Sequence, residues 1–170
     1  MIRNLGKRES FIPIADYGNM IKVSFDYKVI YDTDEEGNKI PSNVGTWYEA
    51  MIKPKPSYHK LKTFILDTIN KDIDNKILSG FVWRNMPIWL STENQFNYKA
   101  AYDLAVQTNG ANLPIVFKFG DTNKPIYYEF KTIEDLTDFY IQAVNYINQT
   151  LAEGWVKKDS IDWSEYEKYL

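Results

Sequence analysis

From Ile21 the chain alternates. Ile21, Val23, Phe25, Tyr27, Val29 and Tyr31 are apolar or aromatic, and Lys22, Ser24, Asp26 and Lys28 stand between them. That two-residue period predicts a half-buried strand. The acidic, turn-rich stretch Asp32-Thr33-Asp34-Glu35-Glu36-Gly37-Asn38 interrupts it, and a second strand is expected over about Gly45 to Lys53. Lys53-Pro54-Lys55-Pro56 stops that strand, because proline donates nothing to a ladder and restricts the residue before it. The period then changes. Leu61, Ile65, Ile69, Ile73 and Ile77 recur every fourth residue behind a Ser57 N-cap, and Gly80 stands where a left-handed terminator is expected.

The same order repeats twice. Phe81-Val82-Trp83 and Pro87-Ile88-Trp89-Leu90 flank a short turn at Arg84-Asn85-Met86. A helix follows, with Thr92 and Gln95 at capping-box spacing, Phe96, Ala100, Leu104 and Ala105 toward the core, and Asn109-Gly110 at its end. Ile115, Phe117 and Phe119 then alternate, Gly120 to Pro125 turns the chain, and Ile126 to Phe130 returns. Thr132 caps a last long helix whose stripe runs through Ile133, Leu136, Phe139, Tyr140, Ala143, Val144, Ile147 and Leu151, with Gly154 closing it. The expected fold is α+β: three successive β-hairpin–helix units, antiparallel strands with helices packed on one face. Residues 1–20 show no clear period and are expected to form an N-terminal arm. The domain proper then runs over 21–155, with the first unit at 21–80, and a C-terminal tail occupies 156–170.

Composition narrows the chemistry. The 170 residues include no cysteine and one histidine, His59. Thiol nucleophiles, disulfides and Cys- or His-cluster metal sites are therefore out of reach. His59 beside Ser57 in the first turn of a surface helix lacks the glycine-flanked nucleophile of a hydrolase. The Asp32–Glu36 run lacks the glycine and distal glutamate of a calcium loop, and the glycines fall at turns and helix ends rather than in a phosphate loop. Glu134 and Asp135 sit where a helix dipole favours acids, which explains that carboxylate pair without catalysis. No enzyme activity, cofactor or metal is expected.

A net charge of -3 argues against a general nucleic-acid binder, and no apolar stretch approaches the length of a membrane span. The first residues carry basic groups with no apolar run behind them, so no secretory leader is expected there.

Aromatic residues make up 16% of the chain, which leaves two roles to weigh, core filling and surface recognition. Trp83 and Trp89, read as lying across one hairpin, together with Tyr127 and Tyr128, would suit a sugar ring or a partner's side chain. Trp155, Ile161, Trp163, Tyr166 and Tyr169 space large side chains along the tail, which either docks on a partner or folds back on its own domain. The candidate interaction surface is therefore Trp83, Trp89, Tyr127, Tyr128, Trp155, Trp163 and Tyr166.

Phe81-Val82-Trp83, Trp89-Leu90-Ser91, Asn94 and Phe96, then Leu113-Pro114, Phe117-Lys118-Phe119-Gly120, the helix around Leu136 and Phe139, and Gly154-Trp155 with Lys157-Lys158 carry a resemblance. Over roughly Lys71 to Asp162 the chain resembles an uncharacterised domain of tail-associated, tail-fibre or fibre-assembly proteins of phages and prophages of Bacteroides-type gut bacteria. The resemblance implies a virion or virion-assembly protein, of the tail in the first place and of the capsid surface as the lesser alternative, assembled in the bacterial cytoplasm. Its implied partners are other virion proteins and further copies of itself. Two alternatives stand beside it: a module that binds host-surface glycans, and a fibre-assembly chaperone bound only transiently. No catalytic residue comes with the resemblance.

Overall fold

The computed structural model describes residues 1–168. The fold is α+β, and its strands pair antiparallel. In chain order the elements are β1 (Ile2–Lys7), a 3-10 turn at Arg8–Ser10, β2 (Ile14–Asp16), β3 (Ile21–Thr33), β4 (Lys39–Ile52) and α1 (Tyr58–Ser79). Then follow β5 (Phe81–Trp83), β6 (Met86–Ile88), α2 (Thr92–Gln107), β7 (Ile115–Gly120), β8 (Pro125–Phe130), α3 (Ile133–Asp159) and α4 (Ser164–Glu167). Three hairpins each precede a long helix. Compact packing groups Met1–Thr68 with the residues from Lys157 on, and Ile69–Val156 as a second unit. The expected boundaries differ: the tail belongs with the N-terminal residues, and the division falls within α1 and α3.

In the first unit the sheet order is β1-β4-β3-β2. The first twenty residues are thus no arm; they supply both outer strands. β1 runs from Ile2 opposite Glu49 to Lys7 opposite Val44, and β2 pairs Ile14–Asp16 with Val23–Ile21. β1 escapes the periodicity test because its two large apolar residues, Ile2 and Leu5, are each 69% exposed. One sheet face buries Ile21, Val23, Phe25 and Ala50, and Phe64 of α1 meets Phe25 edge-on at 6.2 Å. The other face carries a smaller cluster in which Trp47 stacks on Tyr27 and meets Phe11 edge-on. Gly6 makes room for it, since a Cβ there would lie 2.8 Å from the Trp47 ring.

The second unit is held by aromatic rings. Trp83 stacks on Phe130 at 5.6 Å and meets Phe139 edge-on at 5.2 Å, while Tyr98 packs against Phe117 and Phe139. Leu136, Phe139 and Ala143 of α3 are buried as the stripe predicts. In α2, however, the buried face is Tyr98, Ala101 and Ala105; Phe96 is 71% and Leu104 48% exposed. Small alanines lie against the rings, so the helix presents a weak apolar contrast and the expected face is rotated. Its cap is Ser91 rather than Thr92: the Ser91 hydroxyl accepts from the Asn94 backbone N–H at 3.2 Å.

Two glycines also act differently from expectation. Gly80 is absent from the left-handed glycines, and a Cβ there would collide with the Tyr146 hydroxyl and lie 2.6 Å from the Lys76 carbonyl oxygen. Gly154 does not close α3; it is buried inside it, and the helix continues to Asp159.

Candidate interaction surface

Trp83 leads the sequence-derived candidates, and it is not a surface residue. It is 1% exposed at the centre of the second unit, and its register partner across the hairpin is Met86, not Trp89. Alternation accounts for this: Phe81 and Trp83 point one way from β5, into the rings of α3 and β8. The β5–β6 turn places Arg84 and Asn85 at φ 47 and 63, the pair of left-handed residues that a two-residue hairpin needs.

That turn delivers Arg84 to the start of α3. Its guanidinium lies 4.3 Å from the Trp83 ring centroid, pairs with Asp135 Oδ1 at 2.7 Å and donates to the Tyr128 hydroxyl at 2.7 Å. Tyr128 in turn donates to Asp135 Oδ2 at 2.8 Å, and Asp138 accepts from Trp83 Nε1 at 3.0 Å and from Gln142 Nε2 at 2.8 Å. The Gln142 and Trp83 hydrogen bonds hold the Asp138 carboxyl below its usual range. Burial, then the Asp135 acceptor, push the Tyr128 hydroxyl up. An anionic Asp138 and a neutral Tyr128, each already hydrogen-bonded, clamp the hairpin to the helix. The Asp135 backbone N–H also donates to the Thr132 hydroxyl at 3.2 Å, which caps the start of α3.

The remaining candidates separate by burial. Tyr166 is 5% exposed and donates to the Ser24 carbonyl at 3.0 Å, so in the first unit α4 seals the sheet rather than offering a free anchor. Burial lifts its hydroxyl far above the ordinary tyrosine range. Trp163 is half-buried, packed near Tyr166 with the Lys62 ammonium 4.9 Å from its ring centroid. Tyr169 lies outside the described residues. Trp89, Tyr127 and Trp155 are the exposed members of the set. His59 is exposed in the first turn of α1, and among the described residues no group of three or more His, Cys, Asp or Glu is placed to hold a metal ion.

A stronger surface lies where no candidate was named. On the β4 side, pairing with β1 ends at Lys7 opposite Val44; on the β3 side, pairing with β2 ends at Ile14 opposite Val23, followed by one bond from the Ser24 N–H to Pro13. Beyond these points β3 and β4 continue as a two-stranded ribbon, pairing Tyr31 with Pro41, Asp32 with Ile40 and Thr33 with Lys39. Val29, Ile30, Tyr31 and Ile40 are all exposed, at 40%, 37%, 58% and 45%. The tip is closed by Asp34, whose Oδ1 accepts from the Glu36 and Asn38 backbone N–H groups. The signal was present in the sequence, because Val29-Ile30-Tyr31 breaks the alternation and so places apolar groups on both ribbon faces.

No family model, curated protein or solved structure matches the chain. The geometry therefore carries the functional reading. No helix among the described residues is long and apolar enough to cross a membrane.

Proposed function

We propose that the chain is a non-catalytic assembly protein, a tail-associated structural component of a bacteriophage virion that acts through protein–protein contacts. The observation that supports this is the β3–β4 ribbon. A lone two-stranded ribbon is marginal in water, and its outer backbone groups form a ready template for another strand. Four exposed apolar side chains along that template supply what strand addition uses for specificity. The acidic tip at Asp32, Asp34, Glu35 and Glu36 keeps such a surface soluble before its partner arrives. The virion setting rests only on the resemblance read from the sequence over residues 71–162. The non-catalytic reading is supported by Arg84, Tyr128, Asp135 and Asp138, a polar cluster of the second unit whose members are hydrogen-bonded or ion-paired to one another.

Mass spectrometry of intact, purified particles tests the proposal. The protein is expected in the particles, and its absence overturns the virion reading in favour of a transient assembly factor. A Tyr31→Lys, Ile40→Lys double variant is expected to fold and to be missing from particles. Its retention at the normal copy number overturns the role of the ribbon.

A further inference from the structure

A cavity of about 470 Å³ lies in the second unit between Trp89 and the β7–β8 turn, walled by Ser79, Pro87, Ile88, Gly120, Asp121 and Thr122. We propose that it is a binding subsite for one pyranose ring of a neutral glycan, with Trp89 as the stacking platform. This inference stands independently of the assembly role.

The backbone beneath the platform is fixed. Trp89 is 51% exposed, yet Ile88 and Leu90 on either side of it are each 1% exposed. Its carbonyl oxygen accepts from Asn94 Nδ2 at 2.8 Å, and the next backbone N–H, that of Leu90, donates to the Leu78 carbonyl at 2.9 Å. With the backbone anchored on both sides, only the two side-chain torsions of the indole remain to be ordered when a ligand arrives. Among the described residues no ring pair involves Trp89, whereas Trp83 packs against four aromatic rings.

Opposite the platform the wall is polar. Asp121 closes its turn through Oδ1, which accepts from the Asn123 and Lys124 backbone N–H groups at 2.7 and 2.8 Å. That leaves the second carboxylate oxygen to accept from a ligand hydroxyl. Gly120 sits at φ 80, where a side chain would collide with the Lys124 carbonyl, so the turn holds one tight shape. Thr122 brings a hydroxyl, and Ser79 brings another that donates to the Asn75 carbonyl at 3.0 Å and keeps its acceptor lone pairs.

One apolar face against a rim of mixed donors and acceptors is the complement of a pyranose, which has an apolar C–H face and hydroxyls that both donate and accept. A lysine or arginine side chain would also use the ring, the carboxylate and the hydroxyl acceptors, which makes it the rival that the experiment has to separate from a sugar. An anion would meet Asp121. A single-ring contact of this size implies a Kd on the order of millimolar.

The test is ligand-observed saturation-transfer NMR on the full chain, with glucose, galactose, mannose and N-acetylglucosamine as separate probes and N-acetyl-arginine amide as the cationic rival. Transfer to the ring C–H protons of at least one sugar is expected. Trp89→Ala is expected to weaken that binding at least tenfold, Trp89→Phe less, and Asp121→Asn several-fold, with the urea denaturation midpoint of each variant unchanged as the fold control. No transfer to any sugar overturns the proposal, as does unchanged binding in Trp89→Ala. Binding of the arginine amide alone overturns it in favour of a cationic peptide side chain.

Discussion

Trp83 Nε1 donates to Asp138 Oδ2 across 3.0 Å, tying the most buried indole of the protein to the second turn of α3. The bond makes the β5–β6 hairpin and α3 one structural element of the second unit. Replacing Asp138 by Leu leaves the indole N–H buried without an acceptor, at a cost of about 1–3 kcal/mol. Asp138→Asn keeps an acceptor oxygen and is expected to cost less. Urea denaturation of the two variants checks the order; equal stabilities would show that the bond contributes nothing.

Trp83 and Trp89, six residues apart, are expected to behave oppositely on truncation. Trp83→Ala removes a ring packed against Phe130, Phe139, Phe119 and Tyr128, at about 3–5 kcal/mol. Trp89→Ala removes a half-exposed ring and is expected to change stability by about 0.5 kcal/mol or less. Denaturation midpoints of the two variants separate core from platform.

The same pair shows how far sequence alone reaches. Phe81, Trp83, Ile88 and Leu90 obey one alternation, and it puts Trp89 on the opposite side from Ile88 and Leu90, so the period already contained the answer that aromatic counting obscured. The β3 alternation and the α3 stripe were legible because large side chains mark one face. β1 was not, since an edge strand with exposed Ile2 and Leu5 buries little of its own. The α2 face shares only Ala105 with the expected one, because Tyr98 and alanines do the packing there and an alanine carries almost no pattern. Gly154 resembles a helix end in one dimension; only the approach of Ile73 reveals why it is glycine.

That approach is itself testable. A Cβ on Gly154 would overlap Ile73 Cδ1 and lie 2.8 Å from Cγ1. Overpacking typically costs about 1–3 kcal/mol, against roughly 1 kcal/mol regained from the better helix former. Gly154→Ala is therefore expected to destabilise by about 1 kcal/mol net. Adding Ile73→Ala clears the clash, so the double variant is expected to be more stable than the sum of the two single changes. Simple additivity in a double-mutant cycle would refute the contact.

Alkaline pH should unfold the protein partly through Tyr98. The residue is 5% exposed, and burial pushes its hydroxyl up to about 12 from the usual 10. The fold therefore prefers the neutral phenol. Its contribution is fully present below about pH 10 and is lost as pH rises from there through about 12, at most about 2–3 kcal/mol in all. Tyr98→Phe is expected to lessen the alkaline decline, while Tyr166, also raised by burial, keeps part of it. Stability against pH, followed with tyrosinate absorbance, checks this; an unchanged alkaline limb in Tyr98→Phe would rule it out.

Asp26 combines backbone and charge at one bulge of the first unit. Between Phe25 opposite Tyr48 and Lys28 opposite Thr46, the strand fits an extra residue, and Asp26 takes φ 58, a conformation that Asp and Asn tolerate best among side-chain-bearing residues. Its carboxylate is 4% exposed and pairs with Arg3 at 3.1 Å and Lys157 at 2.8 Å. Asp26→Ala removes the charge and adds left-handed strain, so a loss of about 3–5 kcal/mol is expected. Asp26→Asn keeps the backbone preference and one acceptor while removing the charge, and should fall between wild type and Ala. Because the pair is shielded, both losses should persist at high salt. Thermal denaturation at low and high salt decides the matter: an Asn variant as stable as wild type would mean that the ion pairs add nothing, and an Asn variant as unstable as Ala would mean that the backbone preference adds nothing.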